Sequence, residues 1–195
     1  MSARKLVRKS RWPRRLAALL LLAALLLAGR RVYLRWNYPR TYAEPIERWA
    51  AVYDLPPPLL YALVRTESGF DPHAVSRADA RGLTQITPET FAWLQTKQDE
   101  TLALETLFDP EVSLRYGAYF LRLLLDEFGG ADTALAAYHA GRGQVNRWLE
   151  DPAVSPDGTA LARIPFPDTR HYVAKVTAAM RQYEKLYFSE RVAIE

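Results

Sequence analysis

Hydrophobic positions along the chain fall into two regimes. From Leu16 to Gly29 every residue is apolar or glycine, with no polar face at any helical angle. From Leu59 onward the apolar residues recur at spacings of three and four, the mark of helices that turn one face to a core. Leu59, Leu60, Leu63 and Val64 form one such stripe. Val112, Tyr116, Tyr119, Phe120, Leu123 and Leu124 form a second, and Val173, Val176, Met180 and Tyr183 a third. Punctuation between the stripes is clear. Pro45 opens a helix running to about Tyr53, and Pro56-Pro57-Pro58 breaks the chain. The next helix ends at Glu67-Ser68-Gly69, where Gly69 suits a left-handed cap and Pro72 prevents continuation. Residues 73–86 lack a helical period and predict a loop with at most a small β-hairpin.

Thr87-Pro88-Glu89 and Asp109-Pro110-Glu111 each combine a capping side chain, a proline in the first turn and an acid beside it. Both predict helix starts. The helix from Asp109 stops at Gly129-Gly130, and two shorter helices, through 133–138 and 145–149, are separated by Gly141 and Gly143. A loop rich in Pro and Asp covers 151–167, and the last helix starts near Asp168-Thr169. The fold class is mainly α: a single helical domain, preceded by one N-terminal transmembrane helix.

The first regime needs its flanks to be interpreted. Seven basic residues (Arg4, Lys5, Arg8, Lys9, Arg11, Arg14, Arg15) precede the apolar run, and Arg30, Arg31, Arg35 and Arg40 follow it. Fourteen helical residues span only about 21 Å against a hydrocarbon core of ~30 Å, so a cleaved signal peptide fits the length as well as an anchor does. No small-x-small cleavage site follows, because Leu26-Leu27-Ala28-Gly29 gives way at once to two arginines. Snorkelling arginines extend the span into Val32-Tyr33-Leu34, and Trp12, Tyr33 and Trp36 sit where interfacial aromatics belong. The organisation predicted is a cytoplasmic basic tail over 1–15, an anchor over 16–34, a linker over 35–43 and a folded domain over 44–190. The basic excess before the run places the N-terminus in the cytoplasm and the domain outside.

Charge sharpens this picture. The 195 residues carry a net +4, yet residues 1–40 hold 11 Lys and Arg with no acid. The remainder holds 15 basic and 22 acidic residues, a net of −7. A nucleic-acid binder concentrates its basic residues on the folded surface that meets phosphate, so that class is excluded. With no cysteine, disulfides, thiolate metal sites, a cysteine nucleophile and a lipid-modified cysteine are excluded as well. His73, His139 and His171 show no metal-ligand spacing, and no G-x-S-x-G, P-loop or G-x-G-x-x-G motif occurs. No metal and no cofactor are expected.

Glu67 stands out by position. It closes an apolar helix just before the chain turns. The carbonyls of a helix C-terminus and an apolar neighbourhood both disfavour an ionised carboxylate. Both raise the pKa toward the range a general acid needs near neutral pH. On position alone an exposed, fraying Glu remains the plain alternative.

The string around it carries more. Glu67-Ser68-Gly69-Phe70-Asp71-Pro72-His73-Ala74-Val75-Ser76, followed by Ala80-Arg81-Gly82-Leu83-Thr84-Gln85-Ile86-Thr87-Pro88-Glu89-Thr90, closely resembles the catalytic core of the soluble lytic transglycosylases. Those enzymes share a lysozyme-like fold of the goose type. The family's Ala-Tyr-Asn-Ala-Gly motif appears as Ala137-Tyr138-His139-Ala140-Gly141. Its acid-Thr pair with a following Tyr appears as Asp168-Thr169-Arg170-His171-Tyr172. The resemblance covers about residues 45–188, with the four motifs in order.

The resemblance implies that Glu67 is the single catalytic acid and that Gln85 lines the sugar site. It implies that the hydroxyls of Tyr138 and Tyr172 approach the carboxyl, and that Ser68 lies near the departing sugar or a water. His139 stands where the family has Asn and Thr84 where it has Met, which bears on substrate detail and pH optimum; Asp168 replaces the more usual Glu and is read as a helix cap. By resemblance the reaction is non-hydrolytic cleavage of the β-1,4 bond between N-acetylmuramic acid and N-acetylglucosamine. Peptidoglycan glycan strands are then the partner, with the membrane held through the N-terminal helix. A hydrolytic muramidase on the same scaffold, or a tethered non-catalytic glycan-binding module, stays open. Two-carboxylate glycosidases need a second acid; Asp71 and Asp79 are the nearest in sequence, and neither matches a family catalytic position.

Overall fold

The structure is a computed structural model and describes residues 12–189; most of the predicted basic tail lies outside them. Two compact units are present, residues 1–39 and 40–195.

In the first unit a single helix, α1 (Trp12–Asn37), runs 26 residues, or about 39 Å at ~1.5 Å per residue. Its apolar side chains are exposed along its length. By length and composition α1 can cross a membrane. The helix runs beyond both ends of the 16–34 apolar segment, so residues 35–37 of the predicted linker are its last turn, closed by the Asn37 side chain donating to the Tyr33 carbonyl at 2.9 Å.

The second unit is a helical bundle. Its elements are α2 (Ala43–Val52), α3 (Pro57–Glu67), α4 (Pro88–Gln98), a 3-10 turn (Leu104–Phe108), α5 (Pro110–Phe128), α6 (Ala131–Ala140), α7 (Arg142–Leu149), α8 (Pro167–Tyr183) and a closing π turn (Glu184–Phe188). The predicted starts hold. Thr87 Oγ1 accepts the Thr90 amide at 3.3 Å to cap α4, and Asp109 Oδ1 accepts the Glu111 amide at 2.8 Å to cap α5.

The central helix departs from the sequence expectation. Seven consecutive residues of α3, Pro58 to Val64, are buried, so it carries no stripe but is enclosed on all sides. It packs against α8 and α2, and α8 in turn packs on α6. Tyr61, which the periodic pattern leaves out, is wholly buried and stacks on Tyr183 with centroids 5.1 Å apart. In α8, Val173, Val176 and Tyr183 are buried as expected. Met180 is only half-buried, and Ala179 takes the inner place.

No β-strand forms among the described residues. Residues 73–86 make only isolated bridges, Val75 to Arg81 and Arg81 to Ile86. The Ser76 hydroxyl accepts the amides of Ala78 and Ala80, and Arg81 forks onto Asp79 at 2.9 and 3.1 Å. Local side-chain bonds replace the ladder a hairpin would need.

Candidate active site

The most buried helix of the bundle delivers Glu67 as its last residue. Ser68 follows as the C-cap, and the chain then reverses through Gly69 (φ 63°) and Phe70 (φ 71°). The first left-handed position falls on the glycine, where no Cβ opposes it. Burying α3 on every side while ending it at Glu67 brings the carboxyl to the edge of the core rather than into solvent.

Across from Glu67 stands α8. The Tyr172 hydroxyl donates to Glu67 Oε1 at 2.5 Å, a contact spanning 105 positions in sequence. Burial lifts the Glu67 pKa to about 7, partly offset by the Tyr172 hydrogen bond and by the Lys175 ammonium. The residue keeps some exposed surface, but its carboxyl is densely surrounded, and burial outweighs both offsets. The expectation of a raised pKa agrees in direction. Its leading cause is burial, with Tyr172 of α8 against the carboxyl, beyond what position on α3 alone conveys.

Tyr138 lies on α6, and its hydroxyl does not donate to Glu67. It donates to the Thr84 carbonyl at 2.8 Å. Burial and the Glu67 charge both push the Tyr138 and Tyr172 hydroxyls well above their ordinary pKa, so each stays a neutral donor. Of the two tyrosines, then, only Tyr172 holds the carboxyl directly.

His139 is exposed on α6. Its ring stacks on Tyr172 with centroids 4.5 Å apart and an interplanar angle of 30°, while Nδ1 lies 3.1 Å from the buried Thr169 hydroxyl. Burial of part of the ring lowers its pKa, with Asp168 opposing, which favours the neutral imidazole. Asp168 does not cap α8: the cap position is Phe166, Pro167 follows, and Asp168 is a first-turn acid.

Ser68 and Gln85 are turned toward backbone. The Ser68 hydroxyl lies 2.9 Å from the Leu83 carbonyl and 3.2 Å from the Val64 carbonyl, and it accepts the Phe70 amide at 3.2 Å. It locks the turn after Glu67 onto the 82–85 segment, a bracing contact beyond the expected place near the departing sugar or a water. Gln85 sits in left-handed backbone (φ 51°), and its Nε2 donates to the carbonyls of Gly82 and Ala74 at 2.9 and 3.1 Å. With the amide nitrogen fixed, Oε1 is the atom turned to accept. Thr84 is fully buried and bonds to Ser113 on α5, so its departure from Met changes core packing and not the cleft lining.

A cavity of about 480 Å³ has Tyr138 and His139 in its wall, while Glu67, Ser68, Gln85 and Tyr172 do not line it. Thr87, Thr90 and Trp93 line another side, and Phe120 lies in its wall, its ring 5.0 Å from that of Tyr138. Sequence reading missed this α4 wall. The signal was present: Thr87, Thr90 and Trp93 recur at spacing three, in a row that adjoins buried Phe91 and Leu94. The two acids nearest in sequence are committed elsewhere, Asp71 accepting the His73 amide at 2.9 Å and Asp79 pairing with Arg81. Among the described residues no cluster of three or more His, Cys, Asp or Glu could hold a metal.

Known proteins resemble this chain in sequence and fold. The transglycosylase SLT domain family matches residues 44–157. The soluble lytic murein transglycosylase of Escherichia coli K12 is 32% identical over 151 residues, covering 75% of this chain and 23% of that protein. Membrane-bound lytic murein transglycosylase C of Yersinia pestis is 29% identical over 168 residues, covering 74% of this chain and 47% of its own. The crystal structure of the 70 kDa soluble lytic transglycosylase from Escherichia coli superposes with a TM-score of 0.71 at 28% identity, over 80% of this chain and 26% of that one. The chain therefore spans about a quarter of the length of the first of these relatives. With its fold, the Glu67–Tyr172 pair and the match over residues 44–157 in place, the chain belongs to the transglycosylase SLT domain family.

Proposed function

We propose that the chain is a membrane-tethered peptidoglycan lytic transglycosylase in which Glu67 is the sole catalytic carboxyl. The observation that carries this reading is the Glu67–Tyr172 pair: a carboxyl with a pKa near 7, held by one phenol, with no carboxylate contributing to its field. With its pKa near 7, about half of the Glu67 carboxyls carry a proton at neutral pH, and that form delivers it to the oxygen joining N-acetylmuramic acid to N-acetylglucosamine as the C1–O bond breaks. The acetamido group of the muramyl sugar stabilises the developing cation. Glu67, now ionised, takes the proton of the C6 hydroxyl, and the C6 oxygen bonds to C1 to close a 1,6-anhydro ring. No water is consumed, and Glu67 ends protonated as it began.

Tyr172 moderates both halves. Its hydrogen bond favours the carboxylate left after the first transfer and keeps the carboxyl oriented, while burial keeps the resting acid protonated. His139 and the Trp93 wall supply a ring edge and an apolar face for sugar, the contacts an acidic domain needs when electrostatic attraction to wall polymers is unfavourable. Helix α1, long enough to span a bilayer, supports anchorage, with the N-terminus cytoplasmic and residues 44–190 facing the wall.

The test is digestion of purified peptidoglycan by the full chain and by Glu67→Gln, with the released fragments identified by mass. Anhydro ends from wild type and no release from Glu67→Gln are expected. Reducing ends would assign a hydrolase, and no release by wild type would assign a glycan-binding module.

A further inference from the structure

The Tyr138 hydroxyl has two groups within its reach of influence, the Thr84 carbonyl that takes its proton at 2.8 Å and the Glu67 charge that it feels across the site. Which of them receives the proton matters, because a phenol carries only one. Given to Thr84, it leaves the Tyr138 oxygen able only to accept on the side of the acid. Given to Glu67, it would favour the carboxylate.

The position of the Thr84 carbonyl is fixed from behind by α5. The Thr84 amide donates to Ser113 Oγ at 3.1 Å, the Thr84 hydroxyl donates to the Ser113 carbonyl at 2.8 Å, and the two hydroxyl oxygens lie 3.1 Å apart. Thr84 and Ser113 are both 0% exposed, so these bonds face no competition from solvent. Gly117, one turn further along α5, makes the approach possible: a Cβ there would fall 2.4 Å from Thr84 Cβ and Cγ2. Gly117 has ordinary helical backbone, so the glycine answers to this close contact and not to a turn. The 82–85 segment is thus clamped on one side by α5 and presents its carbonyls on the other. Leu83 receives Ser68, the neighbour of Glu67, and Thr84 receives Tyr138.

We infer that Ser113, Gly117 and Thr84 form a positioning lock for the acid, holding the Thr84 carbonyl where it captures the Tyr138 proton and so keeps that proton away from Glu67. This rests on the reading of Glu67 given above. The titratable and charged groups that act on Glu67 are Tyr172, in contact with it, and Lys175, both from α8, while Tyr138 from α6 feels its charge. Tyr172 and Lys175 both favour the carboxylate; a second phenol donating to it would add to them and leave less of the acid protonated at neutral pH.

The experiment uses the full chain on purified glycan strands and records kcat, KM, the pH profile and thermal unfolding. Thr84→Val keeps the side-chain shape and removes the hydroxyl. It should lower kcat about tenfold with little change in KM, the scale of one misplaced hydrogen bond in a buried site. The high-pH limb should move to lower pH by roughly half to one unit. Thr84→Ser should restore both. In a Tyr138→Phe background, where no phenol proton exists to redirect, Thr84→Val should leave the pH profile unmoved.

If Thr84→Val does not fold, Ser113→Ala, which removes the partner without adding bulk, is read against the same expectations. Two results would overturn the lock: lost stability with unchanged kcat and pH midpoint per folded molecule, or the same pH shift in the Tyr138→Phe background. Glu67→Gln is measured alongside. Activity retained there sinks the reading of Glu67 itself, whereas an inactive Glu67→Gln with inert lock variants sinks only the lock.

Discussion

Replacing Glu67 by Gln should make the protein more stable above neutral pH, and the gain should depend on pH in a way set by burial. In the unfolded chain the carboxyl titrates near 4.5, and in the fold near 7. A carboxyl whose folded pKa is raised binds its proton more tightly in the native state. Its favourable contribution is therefore full below about 4.5 and is lost as pH rises through about 7. At ~1.36 kcal/mol per pH unit the loss amounts to at most about 3 kcal/mol, and the partial exposure of the residue reduces it toward ~2. Gln keeps the shape and still accepts from Tyr172, but it has no charge to bury. Urea unfolding followed by tryptophan fluorescence, for both proteins from pH 4 to 9, reads the difference directly. The stability of Glu67→Gln relative to wild type should climb by about 2–3 kcal/mol between pH 4.5 and 7 and then level off. A difference that stays flat across that range would refute the burial argument.

Other consequences follow from the same contacts. Tyr172→Phe removes the one hydrogen bond to Glu67, so the carboxyl should titrate higher and the high-pH limb of activity should move up while kcat falls at least tenfold, read from pH–rate profiles. Trp93→Ala opens the α4 wall of the cavity without touching the acid; it should raise KM severalfold and leave kcat within about threefold in initial-rate kinetics, the pattern of lost uniform binding. Gly117→Ala, favourable for an exposed helix by up to about 1 kcal/mol, should instead destabilise by about 1–3 kcal/mol in denaturant unfolding, because its Cβ would collide with Thr84.

Much of the fold was legible in the sequence because its helix ends are written in local chemistry. Thr87, Asp109, Gly69 and Gly129 act within a few residues of themselves, and each does what its type and neighbours imply. The enclosure of α3 was not legible. Periodicity assigns one apolar face, and only packing by α2 and α8 buries Tyr61 and Ala62 on the others. Met180 yields to Ala179 for the same reason: tertiary contacts choose the inner residue.

Within the site, several motif side chains make contacts that their motifs do not indicate. Glu67 and Tyr172 meet across 105 positions, a pairing visible only through resemblance. The hydroxyls of Ser68 and Thr84 go to backbone, because a buried hydroxyl beside a free carbonyl is satisfied there first. Trp93 carried a periodic signal that gains meaning only once α4 is seen to face α6.

The central claim is that one carboxyl performs both proton transfers and no water enters the product. Digestion of peptidoglycan by the full chain in water enriched in oxygen-18, with the new glycan ends analysed by mass, tests it most directly. The account predicts anhydro ends without the heavy oxygen, abolished together with all release by Glu67→Gln. Ends carrying one heavy oxygen for each bond cut would contradict it.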